Sequence, residues 1–334
     1  MISNIAIVSH YSELGHIQDC LKRMLLKLRL ENWHILLVTT FFNAESKDWC
    51  ILEKIDFLLR ANQGRDFGAF QAGLRHYQKL KLFVDCKSLI LLNDSVYLRR
   101  DTHLTSWNNF LKGDSDSVIG ITDSFQNGYH LQSYALNIPE IVFNSHCWLN
   151  FWKNLDITTS REIIIQDGEI GLSAMLLNSG FRIRALHSVL AARRLTFSTQ
   201  FNDWLHEQLA YTHCHVVIEY FHSITCMSSC LLNPSHQLLF PLLFDGLPLV
   251  KRDLLESNSS RAPDPFLLAG SIDWFDNDEL VTFLKPPIVQ FKQPSFIQKI
   301  LKSLYNRSIR LQRCRSSQGR STATRMICNT KVSD

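Results

Sequence analysis

The feature that most constrains this chain is an alternation, near its start, of short apolar runs with segments of helical periodicity. The runs predict strands over Ile5–Val8, His34–Thr40, Asp56–Arg60 and Ser88–Leu92. Between them, apolar residues recur at helical spacing at Ile17, Leu21, Met24, Leu25 and Leu28. A short helix is predicted over Asp48–Lys54 and another from Phe67. Strands that alternate with helices predict an α/β fold with a mostly parallel sheet.

Further elements extend this domain to about residue 255. The pattern predicts strands over Val118–Thr122, Leu131–Ile138 and Phe181–Leu186, and an amphipathic helix over Gly168–Asn178. Residues 1–255 are therefore interpreted as one domain, and 256–294 as a linker or peripheral extension. An amphipathic basic helix is predicted over 295–315, followed by a disordered tail over 316–334.

Charge and cysteine content argue against a nucleic-acid-binding protein and against a disulfide-rich protein. The 334 residues carry a formal net charge of +4, which is too small to indicate a nucleic-acid partner across the whole surface. Nine cysteines without a regular spacing indicate reduced thiols rather than a disulfide framework. The sequence predicts neither a signal peptide nor a spanning helix, and we expect a cytoplasmic protein.

The loop before the third predicted helix has the composition of a phosphate-binding turn. Gly64 and Gly68 can adopt conformations that other residues disfavour, and the guanidinium of Arg65 matches the geometry of a phosphate group. The N-terminus of the following helix adds a positive field. The alternative is an ordinary strand-to-helix turn in which Arg65 and Asp66 pair with each other.

A second polar cluster follows the apolar strand that ends at Leu92. Asn93, Asp94 and Ser95 supply oxygen atoms of the kind that hard divalent cations bind. Because ligands of open α/β sheets bind at the carboxyl ends of the strands, this cluster and the Arg65 loop predict one site. The alternative for Asn93 is an Asx-turn that closes the strand.

Several motifs in a fixed order give the chain a resemblance to a known family. These motifs are ANQGRDFGAFQAGL, LILLNDSVY, IGITDS, HLQSYAL, the Glu169 helix and NPSHQLLFPLLFDGLPLVKRDLL. Together they resemble the rhamnan synthesis protein F family, which consists of bacterial transferases assigned to rhamnose-rich polysaccharides. The family is more distantly similar to inverting sugar transferases of the GT-A fold. The resemblance runs from about Ile5 to Leu255 and does not cover the remaining residues.

The resemblance implies a GT-A-like fold and a nucleotide-sugar donor, with dTDP-L-rhamnose as the leading candidate. Residues implied near the donor are Ser9, His10, Asn62, Gly64, Arg65, Asp66, Asn93, Asp94 and Ser95. Asn93 and Ser95 stand where the broader family usually has carboxylates, which leaves Asp94 as the only acid of that motif. Asp94 could still share Mg²⁺ or Mn²⁺ with a diphosphate, and metal-free donor binding is the alternative.

The resemblance also implies a carboxylate base for an inverting transfer. Asp167 and Glu169 are expected at the start of the helix Gly168–Asn178, with Glu169 preferred as the base. The alternative is that these acids only complement the dipole of a helix in its first turn. Asp123, just after the predicted strand Val118–Thr122, is the third candidate.

Further candidates lie in later segments. His130, Gln132 and Tyr134 alternate with other residues and are expected on one face of a strand, which in the resemblance lines the cleft. A half-exposed sheet surface would give the same pattern. His236, Lys251 and Arg252 are candidates to stabilise a departing diphosphate, with a solvated basic pair as the alternative for Lys251 and Arg252.

Two functions remain open at this stage. The first is transfer of a sugar to a lipid-linked glycan of a cell-surface polysaccharide such as a rhamnan, O-antigen or capsule. The second is a catalytically silent scaffold that binds a nucleotide or glycan, which the loss of acids at Asn93 and Ser95 keeps open. The basic residues of 295–315 suit an anionic membrane surface, while the alternative is a helix that packs on the catalytic domain.

Overall fold

A computed structural model of the chain describes residues 3–81, 83–100, 104–158, 160–209, 211–258 and 262–264. The predicted helix over 295–315, the tail over 316–334 and most of the linker over 256–294 lie outside these residues.

Eight strands of the described part form one mixed sheet in the order β3-β2-β1-β4-β8-β6, with β7 and β9 both paired to β6. Six of the eight run in one direction, because only β7 and β8 pair antiparallel to their neighbours. The strands are β1 Asn4–Ser9, β2 His34–Thr39, β3 Asp56–Leu59, β4 Ser88–Asn93, β6 Ser117–Ser124, β7 His130–Leu131, β8 Ala135–Pro139 and β9 Arg182–His187. Strands β5 Val96–Leu98 and β10 Leu249–Lys251 form a separate antiparallel pair. The predicted α/β class with a mostly parallel sheet is therefore confirmed.

Helices cover both faces of the sheet. They are α1 Asp19–Leu30, α2 Ala44–Leu52, α3 Arg65–Leu80, α4 Leu104–Lys112, α5 Glu140–Phe143, α6 His146–Asn154, α7 Arg161–Ile164, α8 Gly171–Asn178, α9 Val189–Leu195, α10 Thr199–Gln208, α11 Tyr211–Thr225, α12 Pro234–Gln237, α13 Leu239–Phe244 and α14 Arg252–Glu256. A π-helical turn, Ile165–Ile170, joins α7 to α8. Alternate residues of β1 enter opposite cores, Ala6 and Val8 with α1 and Ile5 and Ile7 with α3. That alternation is why β1 is apolar at every position.

Two sequence predictions are wrong in the second half of the sheet. The strand predicted over Leu131–Ile138 is interrupted, because residues 132–134 form a turn between β7 and β8. The helix predicted from Gly168 begins instead at Arg161, where the hydroxyl of Ser160 caps it by accepting the N–H of Ile163. No helix in the described ranges is both long enough and apolar enough to cross a membrane.

Candidate functional site

The candidate site lies at the carboxyl ends of β1 and β4, beside the start of α3. Asp66, in the first turn of α3, accepts hydrogen bonds from Ser9 Oγ at 2.9 Å and from Asn93 Nδ2 at 2.8 Å. These two bonds join the ends of both strands to the helix. Asp66 is therefore directed to the two strand ends, and within the described ranges it forms no ion pair with Arg65, whose side chain is exposed.

The turn before α3 depends on glycine and on a residue that sequence analysis did not select. Gly64 caps the helix with a φ of +68°, and a Cβ at this position would lie 2.5 Å from Ile157 Cβ. The guanidinium of Arg60 donates to the carbonyls of Ala61 at 2.9 Å and Arg65 at 2.6 Å. Arg60 thereby fixes the loop, while the side chains of Asn62 and Arg65 are exposed.

Gly68 has a different role from the turn geometry expected of it. It lies inside α3, where a Cβ would approach the Gln63 carbonyl to 2.0 Å. The residue is therefore small because the loop folds back against the helix.

Asn93 has two functions in the loop after β4. Its Oδ1 accepts the N–H of Ser95 at 3.2 Å and the hydroxyl of Ser95 at 2.6 Å, which is the Asx-turn considered as the structural alternative. Its Nδ2 remains available for Asp66.

Asp94 is the acid of this loop with a shifted pKa. Its Oδ2 accepts the Tyr11 N–H at 2.9 Å, and its own N–H donates to the Ser9 carbonyl at 3.0 Å. Burial raises the pKa of Asp94 to about 7, and the charge of Asp66 acts in the same direction. The Tyr11 N–H and Arg252 oppose this shift.

The β5–β10 pair brings the late basic residues to this loop. Arg252 donates its backbone N–H to the Ser95 carbonyl at 2.9 Å and its guanidinium to the Asp94 carbonyl at 3.3 Å. Lys251 Nζ lies 4.3 Å from the centre of the Tyr134 ring. Both side chains are half-buried, so the alternative of a solvated pair is wrong.

Lys251 connects the donor side of the site with the candidate bases. Burial lowers the pKa of Lys251, while the charges of Glu169, Asp66 and Asp253 act in the opposite direction. Asp66 of α3 and Glu169 of the π-helical turn therefore both lie close enough to Lys251 for their charges to act on it.

Glu169 is held by the turn that interrupts the predicted strand. Its Oε1 accepts the N–H of Ser133 at 2.6 Å and the hydroxyl of Ser133 at 2.9 Å. Because the helix begins at Arg161, Glu169 lies in its middle, and the first-turn explanation for this acid is wrong. Asp167 lies in the same π-helical turn and is exposed. Ser133 was missed by sequence analysis, since only the fold brings it to Glu169.

The carboxylate of Asp123 stabilises the start of a helix. It is buried, and its Oδ1 accepts the N–H of Val189 at the start of α9 at 2.6 Å. Burial raises the pKa of Asp123.

The three alternating residues His130, Gln132 and Tyr134 do not share one strand face, because the strand ends at Leu131. Gln132 and Tyr134 nevertheless meet at Thr122, whose hydroxyl lies 2.7 Å from Gln132 Oε1 and 2.7 Å from Tyr134 Oη. His130 is buried, with Nδ1 at 2.9 Å from the Gly128 carbonyl.

Two candidate histidines are neutral near pH 7. Burial lowers the pKa of His10 to about 4, and its ring nitrogens contact Thr39 Oγ1 at 2.9 Å and the His16 carbonyl at 3.3 Å. Burial also lowers the pKa of His236 to about 4, with Lys251 acting in the same direction. With its pKa lowered, His236 acts as a neutral hydrogen-bond donor rather than as a cation in the described structure, where its Nδ1 lies 3.9 Å from Asp253 Oδ2.

The residues around Asp94 offer few free oxygen ligands for a metal ion. Within the described ranges no group of three or more His, Cys, Asp or Glu residues could hold a metal. Asp66 accepts hydrogen bonds at both oxygens, Asp94 accepts one from Tyr11, and Lys251 and Arg252 lie beside them. These residues do not fit a protein-built metal centre.

Comparison with known proteins gives a family match and a distant relative. The sequence profile described as "Rhamnan synthesis protein F" matches residues 43–223. "Virulence protein VirA" of Vibrio anguillarum is 26% identical over 210 residues, both in strain ATCC 68554 / 775 and in the sequence given for the species without a strain. That alignment covers 62% of this chain and 64% of VirA.

A solved structure described as "crystal structure of a glycosyltransferase involved in the glycosylation of the major capsid of PBCV-1" is similar at 10% identity with a TM-score of 0.28. The match covers 56% of this chain and 84% of that chain, and it is too distant to bear on fold or activity. The family profile, in contrast, spans more than half of the 334 residues and includes α3, Asp94 and Glu169. The chain belongs to the rhamnan synthesis protein F family.

Proposed function

We propose that this chain is a GT-A-type glycosyltransferase that transfers L-rhamnose from dTDP-L-rhamnose, with inversion, to a lipid-linked glycan of a cell-surface polysaccharide. The observation that carries the proposal is that Arg252 donates to the Asp94 carbonyl, while Lys251 beside it contacts the Tyr134 ring and lies within reach of the charges of Asp66 and Glu169. One site thus combines cations for a diphosphate with a carboxylate for an acceptor hydroxyl. The rhamnosyl donor is supported by membership of the family.

Glu169 is the proposed general base. Ser133 binds Oε1, so Oε2 is the oxygen proposed to accept the proton. The acceptor oxygen forms a bond to the anomeric carbon from the face opposite the diphosphate. The bond between that carbon and the diphosphate oxygen breaks, its electron pair stays on the diphosphate, and the acceptor proton moves to Glu169.

Lys251, Arg252 and Arg65 are the cations proposed to stabilise the diphosphate as it gains charge. Lys251 and Arg252 are half-buried, where an electrostatic interaction is stronger than in water. Arg65 is exposed at the start of α3, beside the helix N-terminus. The donor region also includes Ser9, Asn62, Gly64, Asp66, Asn93 and Ser95, as the family pattern implies.

The metal dependence expected from the broader fold family remains a prediction. Mg²⁺ or Mn²⁺ would supply a further positive charge to the diphosphate, and Asp94 is the residue proposed to contact it. Because few residues around Asp94 could bind a metal ion, the proposed reaction includes no step that depends on one.

The direct test uses purified chain and dTDP-L-rhamnose. Release of dTDP, measured with added Mg²⁺ and with a chelator, reports donor cleavage and metal dependence together. Donor binding is measured in parallel by calorimetry. Binding with turnover supports the transferase, whereas binding without turnover, with and without a lipid-linked acceptor, supports the silent scaffold. If neither dTDP-L-rhamnose nor other nucleotide sugars bind, the transferase proposal is wrong, and the silent scaffold is left only with a glycan as its ligand.

The proposed acceptor places the enzyme at the cytoplasmic face of a membrane. Residues 295–315, known here from sequence alone, are proposed to bind anionic lipid. Truncation before Ser295 should leave donor cleavage intact, weaken salt-sensitive binding to anionic liposomes and slow transfer to a lipid-linked acceptor. Equal liposome binding by full-length and truncated chains at low salt would remove the membrane role.

A further inference from the structure

Strand β3 forms an edge of the main sheet with free backbone groups. The Arg60 N–H donates to the Thr39 carbonyl, so Arg60, and with it Leu58, directs its backbone groups toward β2. Phe57 and Leu59 therefore direct their N–H and C=O groups away from the sheet. Within the described ranges nothing pairs with this side of β3.

Exposed apolar side chains lie around this edge. Leu59 is 57% exposed, and Leu52, at the end of α2, is 75% exposed. The adjoining cleft is lined by Ile51, Ile55 and Phe57 together with the polar residues Lys54, Asp56 and His76. An exposed apolar edge strand is a template for pairing with another chain.

We propose that β3 pairs with β3 of a second copy of this chain, antiparallel about a two-fold axis at Leu58. In that register Phe57 faces Leu59 of the copy as a hydrogen-bonded pair, and the symmetry repeats the contact. Asp56, which lies 3.2 Å from His34 Nε2, faces Arg60 of the copy, whose guanidinium keeps its positive charge while it donates to the loop carbonyls. Opposite charges thus occupy neighbouring positions at both ends of the ladder. The strand is thus complementary to itself in backbone, apolar side chains and charge, as a two-fold interface requires.

The opposite edge of the sheet shows the contrasting arrangement. Strand β9 pairs only with β6 among the described strands, and its exposed arginines bind Asp116 and Asp114 at 3.0 and 3.3 Å. The same two-fold pairing about Ile183 would place Arg182 opposite Arg184 of the copy. Like charges directly opposite each other destabilise a ladder, so β9 is protected against self-pairing and β3 is not.

The proposal is tested on the full chain by sedimentation equilibrium at increasing protein concentration. Wild type is expected to reach twice the chain mass, and Leu59→Lys to stay at the mass of one chain. The matched control is Leu177→Lys on α8, at a leucine that is 46% exposed and distant in sequence from β3, which should dimerise like wild type.

A cysteine at the proposed axis tests the register. Leu58 faces its own copy across a non-hydrogen-bonded pair, where Cα atoms lie about 4.5 Å apart, within disulfide range. Oxidised Leu58→Cys is therefore expected to form a covalent dimer above the background of wild type, which has its own exposed Cys226 and Cys230. Leu14→Cys, at a leucine that is 79% exposed, should not exceed that background.

Several results would overturn the proposal. One is a wild-type chain that stays at the mass of one chain at every concentration. A second is a dimer whose mass Leu59→Lys leaves unchanged, which would place the interface elsewhere. A third is a monomer in which the Phe57 and Leu59 amides resist hydrogen exchange, which would indicate that residues 265–334 of the same chain cover the edge.

Discussion

The first half of the sheet and the second half differ in how they position polar residues. In the first half, β1 to β4 are regular strands joined by helices. The polar residues lie at the ends of these strands: Ser9 is the last residue of β1 and Asn93 the last of β4. In the second half, Glu169 and Ser133 lie in irregular backbone, a π-helical turn and a break between two strands. Regular α/β units thus build the proposed donor side, and irregular backbone builds the proposed catalytic side.

The largest effect predicted by this comparison is a loss of turnover when Glu169, in the second half, is changed. Glu169→Gln keeps the size of the side chain and its contact with Ser133 but removes the base. We expect kcat for transfer to fall about 100-fold or more, with the dissociation constant of the donor little changed. Single-turnover kinetics and calorimetry measure the two quantities.

The controls for this change are Asp167→Asn and Asp123→Asn. Asp167 is exposed, so its variant should keep the wild-type rate. Asp123→Asn keeps an oxygen for the buried Val189 N–H, so this variant should stay folded and keep the wild-type rate. A normal rate for Glu169→Gln beside an inactive but folded Asp123→Asn would assign the base to Asp123.

The next effect concerns donor recognition in the first half. Arg65→Ala and Asp94→Ala should each lower transfer at sub-saturating donor while leaving the fold intact. For Arg65 we expect kcat/KM to fall about 10- to 100-fold, since a hydrogen bond to a charged group contributes about 1.5–3 kcal/mol. Arg75→Ala on the exposed side of α3 is the matched control. Near wild-type kinetics in both site variants would mean that the diphosphate binds elsewhere.

The same comparison explains how far the sequence could predict the molecule. Strand β4 ends at Asn93 and β2 at Thr39, each one residue from its predicted end, because a buried parallel strand is a short apolar run bounded by polar residues. Asp66 could be selected because its loop carries Gly64 and Arg65.

The second half was less predictable for specific reasons. The break after Leu131 arises because the Ser133 N–H donates to Glu169, 36 residues later, and not to a neighbouring strand. No local pattern encodes that bond. The start of the helix at Arg161 did carry a signal, since Ser160 is a good N-cap and Glu162 follows in the first turn. Lys251 reaches the site only through the β5–β10 pair, which joins residues about 150 apart.

A smaller effect is expected when the support of Glu169 is weakened. Ser133→Ala removes the hydroxyl donor to Oε1 and leaves the backbone N–H in place. We expect kcat to fall about tenfold with the donor KM unchanged, which corresponds to about 1.4 kcal/mol. Ser133→Thr keeps the hydroxyl and should restore most of the rate. If alanine and threonine variants are equally slow, the hydroxyl does not position Glu169.

The last predicted effect is on stability rather than on turnover; it concerns Asp94 in the first half and depends on pH. Burial raises the pKa of Asp94 from 3.8 to about 7, so the folded chain binds a proton that the unfolded chain releases above about pH 4. The stabilising contribution of this proton is complete below pH 4 and is lost as the pH rises through 7.

Asp94→Asn cannot titrate and keeps an oxygen for the Tyr11 N–H. We therefore expect the melting temperature of Asp94→Asn to rise relative to wild type between about pH 4 and pH 7. Thermal unfolding of both proteins across this range measures the difference, and Asp167→Asn, at an exposed acid, should run parallel to wild type. If the Asp94→Asn and wild-type curves stay parallel, Asp94 ionises in the folded chain as it does in the unfolded one, and the loop after β4 is more open to water than its contacts indicate.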